Sequence, residues 1–322
     1  MTRSWGASDS SLSMPVERTP LRAIGASWPP AALPLIVALA ACGGGSPSGP
    51  SGGPDALPLR PVPLRPVGGN RVHTDTPLLT VRNARGFDRG QADYTFRVLT
   101  ASGARELASL TVPAGSGTTT AVVPSPLPRG MLLSWGVTAR GAAGETSSSL
   151  ESFRGPSVEC LASSDPYAQS VAEWWLSECS LAHNIYNDPL QVLGPPDSRG
   201  SGPSGFTGFM SLGEGGHVTV DLEGCAVDRD GPDVRVYQRI GTEPVTLYAS
   251  GRPDGPFVLV GYRQPCGNPI EGLRSGYCDF DLAQGEVMEA RYLRIEDGEL
   301  FPCPGDTVSE GADIDAIERL GW

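Results

Sequence analysis

The chain has 322 residues, with 42 glycines, 31 prolines, 36 acidic residues and 24 basic residues, every one of them arginine; its net charge is −12. That length predicts two or three domains. An acidic chain without a basic patch excludes a nucleic-acid partner, and three histidines beside seven cysteines argue against a His-rich metal centre.

Residues 31–41 (AALPLIVALAA) form one apolar run behind Arg18 and Arg22. The run is too short for a bilayer core that needs about 20 residues. A positive stretch before a short apolar one is an export signal, here residues 1–41, with Met14 as an alternative start because residues 1–13 are polar. The run ends Leu39-Ala40-Ala41-Cys42, which resembles the bacterial lipobox, with Leu39 at −3, two small residues and Cys42 as the lipidated residue. Ordinary cleavage after Ala-x-Ala, with Cys42 incidental, competes with this reading. The resemblance implies a palmitate-bearing lipoprotein, tied to a membrane through its lipid. Gly43 stands where an inner-membrane retention Asp would be, which turns the expectation towards the outer membrane or cell surface.

Residues 42–70 are rich in Gly, Ser and Pro and lack apolar periodicity, so they are expected to be a disordered tether, stiffer at PLRPVPLRPV. Residues 71–155 alternate in short runs: Leu79-Val81, Tyr94-Phe96-Val98, Leu110-Val112 and Leu133-Trp135-Val137-Ala139. Turn residues separate them, as in half-buried antiparallel strands. Thr76-Pro77, Tyr94-x-Phe96-x-Val98, Val112-Pro113-Ala114-Gly115, Leu127, Trp135-x-Val137-x-Ala139 and Phe153 together resemble a fibronectin type III domain. The resemblance implies a β-sandwich serving as a spacer, with Trp135 in its core.

Residues 156–322 carry a net charge of −17. Asp165 can cap a helix, Pro166 suits its first turn, and Ala168, Val171, Ala172, Trp175, Leu176 and Cys179 keep helical spacing. The spacing predicts one short amphipathic helix. Strands are predicted at 217–222, 233–237, 245–249, 257–260, 280–282 and 290–295. The fold class expected is therefore all-β, two sandwiches with one helix. Removing Cys42 leaves six cysteines, an even number suited to an oxidising compartment. The pairing expected is Cys160–Cys179, Cys225–Cys303 and Cys266–Cys278, among 15 connectivities.

The order Val192-Leu193-Gly194-Pro195-Pro196-Asp197, Phe209 to Val220, Gly231 to Tyr237, Tyr248-Ala249-Ser250, Asp254 to Phe257, Ala290 to Asp297 and Gly311 to Ile317 is similar to bacterial secreted domains with a galactose-binding-like, discoidin-type jelly roll. That resemblance implies a non-catalytic binding module.

Asp228, Asp230 and Asp233 crowd one loop, and Asp313 and Asp315 alternate near the end. Hard oxygens in loops are what calcium requires, so these five are candidate ligands of a structural Ca²⁺, against a solvated acidic surface. Trp174, Tyr248, Tyr262 and Tyr277, with Trp175, are candidates for stacking on sugar rings at the jelly-roll loops, each with a core position as the alternative. No GxSxG or HExxH stands in the chain, so no catalytic residue is assigned. The function expected is a monomeric, lipid-anchored envelope protein that binds a glycan or surface protein. A structural or adhesive protein, or a hydrolase with an unrecognised carboxylate site, are the alternatives.

Overall fold

The computed structural model describes residues 59–142, 144–176, 186–199, 207–239, 243–269, 275–298 and 311–321. Cys42, the rest of the signal and most of the tether lie outside them. The described residues are almost all strand and turn, and every ladder between strands is antiparallel.

The first sandwich uses β1 (Val62–Arg65), β2 (Leu78–Arg82), β3 (Ala92–Thr100), β4 (Glu106–Pro113), β5 (Thr118–Val122), β6 (Leu132–Gly141), β7 (Gly144–Ser147) and β8 (Glu151–Arg154). One sheet runs β1-β2-β5; the other runs β4-β3-β6-β7, and β8 also pairs with β6. The alternating residues turn inwards as their period requires: Leu79, Val81, Tyr94, Phe96, Val98, Leu133, Trp135 and Phe153 are all buried. Phe96 and Trp135 stack at 6.0 Å. The Trp135 indole N–H donates to the Pro66 carbonyl at 2.6 Å, which fastens the end of β1 to the core.

That bond corrects the expected extent of the tether. Residues 62–65, within PLRPVPLRPV, form a strand of the sandwich rather than free chain. β1 lies at a sheet edge, the place where proline's missing N–H costs no ladder bond.

The second sandwich uses β9 (Ser170–Trp175), β10 (Met210–Ser211), β11 (His217–Val227), β12 (Val234–Arg239), β13 (Pro244–Ser250), β14 (Val258–Pro265), β15 (Asn268–Pro269), β16 (Ser275–Phe280), β17 (Glu289–Asp297) and β18 (Asp313–Arg319). Its sheets run β10-β18-β12-β16-β15 and β14-β13-β17-β11-β9. Val218, Val220, Val236, Leu247, Phe280, Leu293, Ile295 and Ile317 fill the space between them. The only helices among the described residues are two single 3-10 turns, Pro189–Val192 and Leu282–Gly285.

The helix expected from Asp165 to Cys179 is instead strand β9, Ser170–Trp175. Asp165 does accept a capping-type bond, from the Tyr167 N–H at 3.0 Å, but as a local turn. β-branched Val171 and the adjacent tryptophans suit a strand, and the open edge of β11 supplies backbone partners from Trp175 to Ser170. Cys179 lies outside the described residues.

The disulfides are corrected as well. Cys160 is joined to Cys225, not to Cys179, so Cys225 is not joined to Cys303. The chain after β8 runs beside the bulge in β11, where Leu161 N–H donates to the Glu223 carbonyl at 2.7 Å. That contact is not visible from strand order. Cys266 is joined to Cys278. Cys303 also lies outside the described residues.

Both sandwiches belong to one compact unit. The Gly130 carbonyl accepts from Met288 and Glu289 N–H groups at 2.7 and 3.2 Å. Arg71 pairs with Glu289 at 2.8 Å, and Asp75 holds both Arg129 and Arg252 at 3.0 and 3.2 Å.

Candidate functional site: an outer sheet face in the second sandwich

The acidic candidates separate into individual structural roles. Asp233, almost wholly buried, accepts from the Arg229 and Leu282 N–H groups at 2.9 and 3.0 Å. Asp315, equally buried, accepts from Asp197 and Ser198 N–H groups at 2.9 and 3.3 Å. A buried carboxylate with two such donors is satisfied without a cation. Asp313 lies opposite Ser211 and 3.5 Å from Arg239. Burial pushes its carboxyl up to about 6, against the lowering pull of Ser211 and Arg239. In register, Val234 meets Arg319 at one end of β18 and Gln238 meets Ile314 towards the other. The structure therefore does not bring Asp313 and Asp315 to the 228–233 loop.

The acids that do meet are Asp228, Asp233 and Asp281, with oxygens within 4.8 Å of one another. Asp281 was not among the residues expected, and Asp230 does not join them. Burial first, then Asp281 and Asp230, raises the Asp228 carboxyl. Asp281 is itself engaged, accepting from Ala283 N–H at 2.9 Å. Three carboxylates, two of them already accepting backbone N–H groups, fall short of the six to eight oxygens calcium takes, so this donor set alone does not fit a calcium site.

The aromatic candidates do not form one group either, and those on the second sandwich's ladders lie on strands rather than in loops. Tyr277 belongs to β16, opposite Tyr237, with the Arg235 guanidinium 3.9 Å above its ring. Trp174 is opposite buried Val218, so it lies on the core side of β9 at the sheet edge, 43% exposed. Tyr248 and Tyr262 share a sheet, on the neighbouring strands β13 and β14 of β14-β13-β17-β11-β9. Register puts Thr246, Glu296, His217 and Trp175 in one row across its outer face, and Tyr248, Arg294, Thr219 and Glu173 in the next. Tyr262 on β14 is 63% exposed.

The centre of this face is polar and fixed. Arg294 donates to Thr219 Oγ1 at 3.1 Å and to Glu173 at 2.6 Å, while its guanidinium lies 4.3 Å over Phe257. Burial and then Glu296 raise the Tyr248 phenol, which keeps its proton. Trp175 stacks on His217 at 6.1 Å. Burial and Arg294 lower the His217 pKa, leaving the ring neutral at pH 7, and its Nε2 is enclosed without a hydrogen-bond partner. Tyr262 and Trp175 occupy opposite edges of the sheet, roughly 19 Å apart by four strand spacings of about 4.8 Å. Sequence reasoning missed Arg294, Glu296, Thr219, Glu173 and the part of His217. Their signal was the period of two in His217-x-Thr219 and Tyr292-x-Arg294-x-Glu296, the side of each strand that the core leaves unused.

No family model matches the chain, and no curated protein matches it. Among solved structures, the secreted serine protease VesC from Vibrio cholerae aligns at 12% identity and a TM-score of 0.26, covering 82% of this chain and 51% of that one. A native α-L-rhamnosidase from Aspergillus terreus aligns at 12% identity and 0.25, covering 80% and 26%. A structure described for the promiscuous specificity of carbohydrate-binding modules of the β-sandwich superfamily aligns at 10% identity and 0.21, covering 81% and 98%. The chain thus spans about half of the protease and a quarter of the rhamnosidase. These TM-scores are too low to carry a conclusion about the site.

Proposed function

We propose that this is an exported, lipid-anchored envelope protein whose second sandwich binds a glycan, without catalysis, on the outer face of the sheet β14-β13-β17-β11-β9. The observation that carries the proposal is the order of side chains across that face. Tyr262 on edge strand β14 and Tyr248 on β13 stand on one side, Trp175 on edge strand β9 with His217 on β11 on the other, and Arg294 with Glu296 on β17 between them. A sugar ring has an apolar face of C–H groups and a rim of hydroxyls. Aromatic rings cover the first, and fixed charged groups bond the second. Fixed donors and acceptors also lower the ordering cost of binding.

In this reading Cys42 carries the lipid, the chain after it is the tether, and the first sandwich is a fibronectin III-like module. That module's two antiparallel sheets, one of three strands and one of five, are compatible with the resemblance. Calcium enters only as a structural ion near Asp228, Asp233 and Asp281, completed by other ligands. A melting temperature indifferent to both calcium and chelator removes it. Radiolabelled palmitate tests the anchor: the label enters the wild-type chain and not Cys42→Ser. A glycan array with the intact protein tests the binding. Glycan capture supports the proposal, and a folded protein that captures none transfers the function to protein–protein adhesion.

A further inference from the structure

Where the two sandwiches meet, Arg129, Glu159, Arg252, Arg291 and Tyr292 line a cavity of 210 Å³. It draws on every part of the compact unit: Arg129 from the first sandwich, Glu159 from the connecting segment, and the others from the second. Gly251, also in its wall, has no room for a side chain, since a Cβ there would lie 2.7 Å from that of Arg129.

Each guanidinium is oriented before anything binds. Arg129 donates Nε and one terminal nitrogen to Asp75 at 3.0 and 3.2 Å, and the other nitrogen to Glu159 at 3.2 Å. Arg252 grips Asp254 at 2.9 and 2.8 Å and reaches Asp75 at 3.2 Å. Arg291 grips Asp221 at 2.7 and 2.8 Å and donates to the Glu159 carbonyl at 3.0 Å. Paired forks of this kind fix geometry as well as charge.

The charge decides the class of ligand. Three guanidiniums face the carboxylates of Asp75, Glu159, Asp221 and Asp254, one negative charge in excess. An anion gains nothing there, and a metal cation would meet three arginines. A neutral polyol fits this lining, because a hydroxyl accepts from a guanidinium N–H and donates to the Glu159 carboxylate in the wall, while Asp75, Asp221 and Asp254 hold the guanidiniums from behind. The volume is below the roughly 300–1,000 Å³ of pockets for drug-sized ligands, which suits a single ring.

We propose that the junction cavity is a second saccharide site, for one neutral pyranose, to which both sandwiches contribute. It shares no residue with the sheet-face reading but adjoins it: Tyr292 lies one row before Arg294 on the same side of β17, at the end towards the first sandwich. The first sandwich is then part of a binding site and not only a spacer.

The test is calorimetric titration of the intact protein with galactose, glucose, mannose and N-acetylglucosamine, with glucuronate as the charged comparison. At least one neutral sugar is expected to bind, and glucuronate about tenfold more weakly or worse, a difference of about 1.4 kcal/mol. Arg252→Ala is expected to weaken the neutral sugar about tenfold or more. Tyr292→Phe, which keeps the ring, is the second variant should Arg252→Ala fail to fold, and it is expected to weaken the same sugar. Absence of binding by every neutral monosaccharide overturns the proposal, as does preference for glucuronate. Monosaccharide binding that follows Tyr262→Ala and ignores Arg252→Ala overturns it too, by placing the sugar on the sheet face. Failure of the face reading alone would show as glycan capture that no face variant alters while the monosaccharide still binds.

Discussion

Asp233, Asp297 and Asp315 show what the acidity of the second sandwich does at the scale of single residues. Each bridges two backbone N–H groups; for Asp297 these are Gly215 and Ala312, at 3.1 and 3.2 Å. Asp315→Ala leaves the buried Ser198 N–H and the part-buried Asp197 N–H without this acceptor and is expected to cost roughly 2–4 kcal/mol, read by denaturant unfolding. Asp313 behaves differently. Its carboxyl is raised to about 6 in the native state, with Arg239 and Glu243 as its charged neighbours. The native state binds more protons than the unfolded chain between about pH 4 and pH 6, so stability falls as pH rises through that window. Asp313→Asn cannot titrate. Relative to wild type it is expected to gain stability from pH 4 to 6, on the order of 3 kcal/mol in full, with a flat difference on either side. A difference curve without slope in that window would contradict the assignment. The sequence made these acids visible, but only as possible ligands. Whether a carboxylate faces a cation or a pair of amides depends on chain segments more than 80 residues apart, as with Asp315 and Asp197.

Among the elements, strands with strict alternation were legible: β3, β6, β11 and β17 fall where their period of two placed them. β9 was misread because Ala168, Val171, Ala172 and Trp175 satisfy a helical spacing, and nothing local reveals that β11 has an edge to offer. β1 was missed because prolines mask its alternation. The outer-face row was half legible. Tyr248 was found, but Arg294 and Glu296 gain meaning only when register sets them beside it. The junction turn is the most exacting element. Gly130 has φ +67°, and a Cβ there would lie 2.1 Å from the Glu289 carbonyl oxygen. Gly130→Ala is expected to cost roughly 3 kcal/mol or more, combining backbone strain with overpacking. Gly117→Ala, at φ +69° with open space around it, is expected to cost only about 1 kcal/mol. Equal losses in thermal melts of the two variants would mean that the junction is not tight.

The molecule as a whole is built so that the two sandwiches support one another. Backbone hydrogen bonds at Gly130, the Arg71–Glu289 pair and the shared Asp75 join them, and the Cys160–Cys225 disulfide ties the connecting segment to β11. One calorimetric transition is expected, with equal calorimetric and van't Hoff enthalpies. Two resolved transitions would show independent modules on a string, the arrangement that sequence alone led one to expect. A rigid pair presents its outer sheet face in a fixed direction, which suits capture of an extended glycan. The most direct measurement is the affinity of the intact protein, and of Tyr248→Ala and Tyr262→Ala, for the best glycan found on an array. The account predicts that each variant keeps its melting temperature and binds about fivefold to tenfold more weakly, as loss of an aromatic contact worth roughly 1 kcal/mol requires. Unchanged affinity in both variants would contradict it.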